Sequence, residues 1–222
     1  AISDESADVF AQNIRVVDGF YLFDLNFKNK IFKNLHFGVP GLHNLENAIA
    51  ACTVLLVSAG VNSIELGEAL SSFKGVHRRF ETVFQNKKIL LIDDYAHHPT
   101  EISTCLSSIR NLYPKHKITA IFQPHLYSRT RDFAEDFADS LAMADKLILL
   151  DIYPARELPI EGITSFWLLN KVPMNDKMYV ENSKLITELD NSTHDIIVMM
   201  GAGNIELMVN EVKNYLEMKY QS

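Results

Sequence analysis

The sequence contains little cysteine and no long apolar run, and both shortages narrow the class of protein. Only two of its 222 residues are cysteines, Cys52 and Cys105, and they form no CxxC pair. Both fall in apolar patterns of helical spacing, which favours two buried thiols in a reducing compartment over a disulfide. No stretch approaches the roughly 20 apolar residues of a membrane-spanning helix. Because residues 1–5 also lack the features of a signal peptide, we expect a cytoplasmic protein with no membrane partner.

Positive charge is scarce as well. The chain has 21 Lys and Arg against 28 Asp and Glu, for a net charge of −7. Nucleic-acid binding needs clustered cations, so this balance argues against a nucleic-acid partner. A phosphate loop of the form GxxxxGK[ST] is absent from the sequence. The remaining composition, 47% apolar and 22% charged, is typical of a globular chain with one large domain or two small ones.

The first third of the chain predicts a β-hairpin followed by helices. Residues 23–27 alternate between apolar and polar, and after a turn at Asn29–Lys30 the same alternation continues over residues 31–37. Apolar residues at helical spacing over residues 42–56 then predict a helix with its C-cap at Gly60. A second, shorter helix follows.

From Arg78 onward, strands alternate with helices, and we place a domain boundary near His77. Four short apolar runs are typical of strands covered on both faces: residues 88–93, 118–122, 146–150 and 195–200. The first of these strands leads into a helix that begins at Pro99. The pattern predicts an α/β fold of the Rossmann type, with a mostly parallel sheet and helices on both faces.

In such sheets, ligands bind beyond the carboxyl ends of the strands. Four segments follow the predicted strands, and the first two are the richest in reactive side chains: residues 93–98, 123–131, 151–157 and 201–204. In the first, Asp94 could accept both hydroxyls of a ribose, while His97 and His98 could move protons near neutral pH. The same residues also fit a polar loop in which an aspartate caps the next helix, and position alone leaves the two interpretations balanced.

The second segment is rich in cations. Arg129 and Arg131 lie two residues apart beside His125, and the arginine fork matches a carboxylate or a phosphate. An arginine in the first turn of a helix opposes the helix dipole, so its presence calls for a reason. We therefore favour a small anion site over a helix that Ser128 merely caps.

Three further segments carry weaker signals. Arg78 and Arg79 fit either a grip on a nucleotide phosphate or a solvated junction with ion pairs, and their chemistry alone favours the junction. Asn44 and Asn47 share a helix face and could pair with adenine, or Asn44 could cap the helix. Residues 201–206 hold two glycines of a GxGxxG pattern, which is typical of a tight strand-to-helix turn whose backbone N–H groups could touch a ligand.

A zinc site is not expected. The histidines of these segments match no zinc signature in their spacing, and no cysteine accompanies them: His77, His97, His98 and His125. We therefore assign no metal ligand in this chain.

Four segments, taken together and in this order, resemble the Mur ligase family, and most closely its alanine-adding branch: residues 40–48, 75–81, 93–101 and 122–130. The likeness spans essentially the whole chain. Family members have a UDP-sugar-binding domain, a central ATPase domain with the phosphate loop, and a C-terminal Rossmann-like domain. The resemblance implies that residues 1–77 form the end of the central ATP-binding domain, a β-hairpin plus helices, and residues 78–222 the C-terminal domain. The other domains and the phosphate loop would lie upstream.

The chemistry that the resemblance implies is amide formation in peptidoglycan synthesis. ATP would phosphorylate the lactyl carboxylate of UDP-N-acetylmuramate, and the amine of L-alanine would attack the acyl phosphate. Mg²⁺ would offset the phosphate charge, with its ligands mostly upstream of this chain. The fragment alone would then be inactive.

The resemblance also implies roles for individual residues. Four would contact the nucleotide: Asn44 and Asn47 the adenine, Asp94 the ribose and Arg79 a phosphate. Four would form the amino-acid pocket: Tyr95, His125, Arg129 and Arg131. Of these, Arg129 would face the carboxylate of the amino acid. We add the hypothesis that His97 or His98, which would line the same cleft, accepts the amine proton.

Leu126 departs from the family pattern. Arg often follows the histidine of the Pro-His motif at that position, so either Arg129 and Arg131 carry the anion contacts alone or Leu126 packs beside the alanine methyl. Amino-acid specificity therefore stays open, and a murein-tripeptide recycling ligase is an alternative within the family. A non-catalytic nucleotide-binding module is a further alternative, and a GxxxxGK[ST] motif upstream in the reading frame would exclude it.

Overall fold

The computed structural model describes residues 1–17, 20–28, 30–59 and 61–220, and it divides them into two units. The first unit comprises Ala1–Val76 with Asn111–Tyr113, and the second comprises the rest. No helix in the described ranges is both long and apolar enough to cross a membrane. Cys52 in the first unit and Cys105 in the second are both buried free thiols.

Three antiparallel strands form the sheet of the first unit in the described residues, in the order of the chain: β1 (Val9–Val17), β2 (Phe20–Phe27) and β3 (Lys30–Phe37). Tyr21, Phe23 and Leu25 are buried on one face of β2, because successive side chains of a strand alternate between its faces. The predicted hairpin is confirmed as β2 and β3, although its predicted turn residue Asn29 lies outside the described residues.

Strand β1 was not predicted from the sequence. A register shift between Gln12 and Arg15 interrupts its pairing with β2, and Asn13 within it has a φ of 53°. Such a bulge breaks the alternation of apolar and polar residues from which strands are predicted.

Two helices complete the first unit: α1 (Leu42–Ser58) and α2 (Ser63–Ser72). Gly41 precedes α1 with a φ of 98°, a conformation that favours glycine. The Asn44 side chain donates to the carbonyl of Pro40 at 2.6 Å, so the alternative that Asn44 caps the helix is wrong. The predicted C-cap Gly60 lies outside the described residues.

A six-stranded sheet, counted over the described residues, forms the second unit. Its strands are β4 (Glu81–Gln85), β5 (Leu90–Asp94), β6 (Ile118–Phe122), β7 (Lys146–Leu149), β8 (Lys177–Tyr179) and β9 (Ile196–Met200). The spatial order is β4-β5-β9-β6-β7-β8, and only the β4–β5 pair is antiparallel. The predicted α/β fold with a mostly parallel sheet is therefore confirmed.

The helices of the second unit follow the predicted alternation. They are α3 (Pro99–Leu112), α4 (Tyr127–Asp132), α5 (Ala134–Leu141), α6 (Ser165–Lys171), α7 (Leu185–Asp190) and α8 (Ile205–Lys219), with a 3-10 turn at Asn182–Lys184. Two short helices, α4 and α5, stand between β6 and β7, because the chain bends at Phe133 (φ −113°, ψ 25°).

The central strands of this sheet bring several loops to one edge. Every residue of β5, β6 and β9 is buried, so both faces of these strands are covered. Met200 at the end of β9 lies opposite Asp94 of β5 on one side and Phe122 of β6 on the other. The three strands therefore end level with one another, and the segments that follow them are neighbours.

Candidate functional site

Gln123, the first residue after β6, joins two of these strand ends. It is 1% exposed; its amide nitrogen donates to Asn204 Oδ1 at 2.8 Å and its Oε1 accepts the backbone N–H of Ile205 at 3.0 Å. A Cβ on Gly203 would lie 2.5 Å from Gln123 Oε1. The glycine turn after β9 is thus shaped to admit this buried amide, and the N–H of Ile205 at the start of α8 is already satisfied.

Asp94 fixes the turn after β5. It is 7% exposed, and its two carboxylate oxygens accept the backbone N–H groups of Phe80 and Ala96, each at 2.8 Å. Burial raises the pKa of Asp94, while these two hydrogen bonds and the positive charge of Arg79 oppose that rise. Asp94 therefore has a structural task; its predicted contact with a ribose stays a prediction.

A different carboxylate serves the start of α3. Glu101 Oε2 accepts the backbone N–H of His97 at 2.9 Å and that of His98 at 3.2 Å. An acid in the first turn of a helix satisfies N–H groups that have no partner within the helix. The role that the sequence left open for an aspartate thus belongs to Glu101.

The two adjacent arginines after Gly75 have different surroundings. Arg78 is buried: its Nε donates to Asp93 Oδ2 at 2.9 Å, and its Nη2 donates to the carbonyl of Gly201 at 2.7 Å. The side chain of Arg79 is half exposed, and its guanidinium lies 3.9 Å from Glu101. Arg78 is therefore a structural tie between strand ends, and Arg79 is the arginine with a guanidinium accessible to a ligand.

Aromatic and imidazole rings cluster beyond β5 and β6. Tyr95 and His97 are 5.3 Å apart between ring centroids, and His97 and His125 are 6.0 Å apart. On its other side, His125 stacks against Tyr153 at 5.6 Å and 26°. The structure thus brings three predicted residues together with Tyr153, which the sequence analysis did not single out.

The two adjacent histidines diverge. His97 Nδ1 lies 2.9 Å from the carbonyl oxygen of Tyr95 and 3.2 Å from Glu101 Oε2. Both neighbours are acceptors, so Nδ1 carries a proton, and in the neutral imidazole Nε2 is left unprotonated. His98 packs its ring against Phe133 instead, at 4.8 Å between centroids. Only His97 joins the ring cluster.

His125 and Arg129 carry two buried polar atoms of special interest. Neither His125 Nδ1 nor Arg129 Nη1 finds a hydrogen-bond partner in the described part of the chain. Buried polar atoms are nearly always paired, so an unpaired one calls for an explanation such as a ligand. Burial, together with the positive charges of Arg129 and His97, lowers the pKa of His125, and the imidazole is neutral at physiological pH.

Arg131 contacts none of these groups in the described residues. Its Nε pairs with Asp132 at 2.7 Å, and half of its side chain is exposed. Positions two apart on a helix lie on different faces, which separates Arg131 from Arg129. The predicted role of Arg131 in binding an anion stays a prediction with no geometric support.

Glu157 is a residue of this region that the sequence analysis also passed over. Its carboxylate accepts the backbone N–H of Ser128 at 2.9 Å and the Ser128 hydroxyl. These bonds, the hydroxyl's first, lower the pKa of Glu157. Glu157 therefore caps α4 from a distant loop, whereas Ser128, the cap in the alternative that was not favoured, lies inside the helix and is itself a donor. The position of Tyr153 and Glu157 in the sequence could have identified them, because both lie in the segment that follows β7.

The remaining predicted site residues are two asparagines of the first unit. In the first unit, Asn44 is engaged with Pro40, and Asn47 is exposed on α1. Within the described ranges, no group of three or more His, Cys, Asp or Glu side chains could hold a metal ion.

Comparison with known proteins reveals relatives over nearly the full chain. The model of the Mur ligase glutamate ligase domain matches residues 78–203. The UDP-N-acetylmuramate–L-alanine ligase of Christiangramia forsetii is 50% identical over 213 residues, 96% of this chain and 47% of that protein. The enzyme of the same name from Flavobacterium psychrophilum is 48% identical over 217 residues, 98% of this chain and 48% of that protein. The chain thus spans about half the length of these curated relatives.

Solved structures agree. The UDP-N-acetylmuramate-alanine ligase of Thermotoga maritima has a TM-score of 0.78 at 27% identity, with 98% of this chain and 48% of that chain covered. The MurF ligase of Thermotoga maritima, solved in complex with ADP, has a TM-score of 0.68 over 100% of this chain and 49% of that chain, but its 15% identity shows the fold alone. On the strength of the domain match over more than half its residues, the chain belongs to the Mur ligase family.

Proposed function

We propose that this chain is the C-terminal part of an ATP-dependent ligase that joins L-alanine to the lactyl carboxylate of UDP-N-acetylmuramate in peptidoglycan synthesis. The observation that carries the proposal is the pair of buried, unpartnered atoms His125 Nδ1 and Arg129 Nη1. A buried guanidinium nitrogen without an acceptor is costly, and the carboxylate of an amino acid supplies that acceptor. The names of the two relatives with 50% and 48% identity support this choice of substrate.

The amino-acid pocket follows from the ring cluster. Arg129 binds the carboxylate of L-alanine, and the neutral His125, held against Tyr153, forms a wall of the pocket. Tyr95 and His97 form the facing wall. Since Nδ1 of His97 donates to the backbone carbonyl of Tyr95, the lone pair on its Nε2 can accept the proton from the alanine amine. We therefore assign this role to His97 rather than to His98, which faces Phe133.

Nucleotide contacts are proposed in each unit separately. In the second unit, Arg79 offers its exposed guanidinium to a phosphate, and Asp94 offers the remaining lone pairs of its carboxylate to the ribose. In the first unit, Asn44 and Asn47 contact the adenine. Mg²⁺ accompanies ATP and offsets the charge of its phosphates, on ligands that lie mostly upstream of this chain. The phosphate loop and the UDP-sugar domain are the upstream partners, and the substrates place the enzyme in the cytoplasm.

The test is an amino-acid-dependent phosphate-release assay on the full-length protein with ATP, Mg²⁺ and UDP-N-acetylmuramate. L-alanine should support the fastest release, with glycine and L-serine slower. Phosphate release that depends on a murein tripeptide added to the same mixture, and not on L-alanine, would instead identify the recycling ligase. The departure from the family pattern at Leu126 leaves that alternative open. No release with any of these substrates would leave a nucleotide-binding module.

A further inference from the structure

The loop that follows β7 contacts the amino-acid pocket at two points. This loop, Asp151–Glu157, is hereafter the β7 loop. Because β6 and β7 are adjacent parallel strands, the segments after them run side by side. The pocket residues His125 and Arg129 both lie in the segment after β6, so the β7 loop is placed to hold that segment.

The first contact holds His125. The backbone N–H of Tyr153 donates to Pro124, and the N–H of Leu126 donates back to Tyr153, at 2.8 and 2.9 Å. The Tyr153 ring stacks on His125, and a Cβ on Gly203 would come within 2.6 Å of the same ring. Tyr153 therefore fills the space between a glycine backbone and the imidazole.

The second contact holds α4, the helix that carries Arg129. The residue before this helix is Leu126, whose side chain has no hydrogen-bond acceptor. Glu157 supplies one, through its bonds to the N–H and hydroxyl of Ser128. A helix of six residues is marginal by itself, so an external cap decides where its side chains point.

The backbone at both contacts is strained. Leu126 has φ 72° and ψ 135°, and Ala155 in the β7 loop has a φ of 51°. Residues other than glycine hold such conformations only when their surroundings over-determine them, and they concentrate at ligand-binding sites. Here the over-determining contacts are the hydrogen bonds that join the β7 loop to the segment after β6.

We propose that Glu157 is a positioning residue for amino-acid recognition: by capping α4 through Ser128, it holds the Arg129 guanidinium where the carboxylate of the incoming amino acid binds. This inference rests on the proposed function. A negative charge near an anion site opposes anion binding, so Glu157 acts through geometry and not through attraction for the substrate. Glutamine keeps the acceptor without the charge, and it separates the two effects.

The test uses the full-length enzyme with saturating ATP and UDP-N-acetylmuramate. In Glu157→Ala, the KM for L-alanine should rise about tenfold, the effect of a lost helix cap, while kcat and the KM for ATP change less than about twofold. Glu157→Gln should restore the KM for L-alanine to within about twofold of the wild type, because its amide oxygen can accept the Ser128 N–H while its amide nitrogen donates to the Ser128 hydroxyl oxygen. Glu135→Ala is the matched control, since the one side-chain ion pair of Glu135 among the described residues is an exposed contact with Lys171, and the variant should leave every constant unchanged.

Two results would overturn the inference. One is an unchanged KM for L-alanine in Glu157→Ala. The other is a Glu157→Gln enzyme as impaired as Glu157→Ala while both unfold at the wild-type temperature, because charge would then matter and geometry would not. If Glu157→Ala fails to fold, Ser128→Ala removes one of the same hydrogen bonds and should raise the KM about threefold. A wild-type enzyme that does not respond to L-alanine would refute the proposed function itself, which distinguishes the two failures.

Discussion

Replacing Arg78 should destabilise the second unit far more than replacing its neighbour Arg79. In Arg78→Met, Asp93 keeps its place in the interior but loses a partner at 2.9 Å, and the buried carbonyl of Gly201 loses a donor at 2.7 Å. Breaking a buried ion pair from one side costs about 3–5 kcal/mol, so we expect a loss of about 4 kcal/mol. Arg79→Met removes a half-exposed guanidinium that lies 3.9 Å from Glu101 and 5.5 Å from the Tyr95 ring centroid, and it should cost less than about 1 kcal/mol.

The assay is urea denaturation of the 222-residue chain followed by tryptophan fluorescence. Trp167 is the one tryptophan in the sequence, and it lies in α6, so the signal reports on the second unit. The double variant Arg78→Met, Asp93→Asn should recover part of the loss, because it no longer buries an unpaired charge. A loss of under about 1 kcal/mol in Arg78→Met would refute the argument that this pair is structural.

The pH dependence gives a second check on the same pair. Burial raises the pKa of Asp93 and the Arg78 guanidinium opposes that rise, so without Arg78 the pKa rises further. The folded variant then binds more protons than its unfolded chain above the ordinary aspartate pKa, and its stability falls as pH increases through that window. The difference in the free energy of unfolding between wild type and Arg78→Met should therefore become smaller on going from pH 8 toward pH 5. A difference that grows over this range would contradict a structural role for the Arg78–Asp93 pair.

Three further outcomes are expected. In the full-length enzyme, Arg129→Ala should raise the KM for L-alanine by about 10- to 100-fold through loss of a charged hydrogen bond, whereas Arg131→Ala should change it less than about twofold. Gly203→Ala should lower the free energy of unfolding by about 1–3 kcal/mol in the same urea assay, because its Cβ would overlap Gln123. Burial lowers the pKa of His194 to about 4. The unfolded state therefore binds the proton first, and stability should fall by about 2–3 kcal/mol from pH 6.5 toward pH 4, a loss that His194→Asn should reduce.

The fold of the second unit was largely predictable because its central strands are covered on both faces. Burial on both sides of β5, β6 and β9 requires unbroken apolar runs, and such runs are visible in a sequence. The edge strands β4 and β8 were missed for the opposite reason. β4 contains a register shift between Thr82 and Phe84 and is only partly buried, and β8 has three residues. Their place in the sheet is set by tertiary contacts rather than by periodicity.

The candidate site was predictable as a set of segments but not residue by residue. Chemistry alone did not separate the two arginines after His77 or the two histidines after Ala96, although the family likeness assigned the phosphate contact to Arg79. In each pair, however, the two residues have identical chemistry in the sequence and opposite surroundings in the structure. Arg78 has a φ of 56°, which turns the chain so that its side chain enters the interior and that of Arg79 does not. Which of two adjacent side chains is buried depends on local backbone geometry, and the residue type does not reveal that geometry.

Glu157, which was not predicted as a site residue, could have been found from the topology of the sheet. Hydrogen bonds link Ser128 to Glu157 across 29 positions in the chain, and no local pattern connects them. Yet β6 and β7 are consecutive strands, and a right-handed crossover between consecutive parallel strands usually makes them neighbours in the sheet. The segments after them must then be adjacent, so an arginine after one strand predicts that its supporting groups lie after the other. On that reasoning, the amino-acid pocket proposed for the segment after β6 would acquire its rigidity from the β7 loop, and both segments would contribute to its specificity.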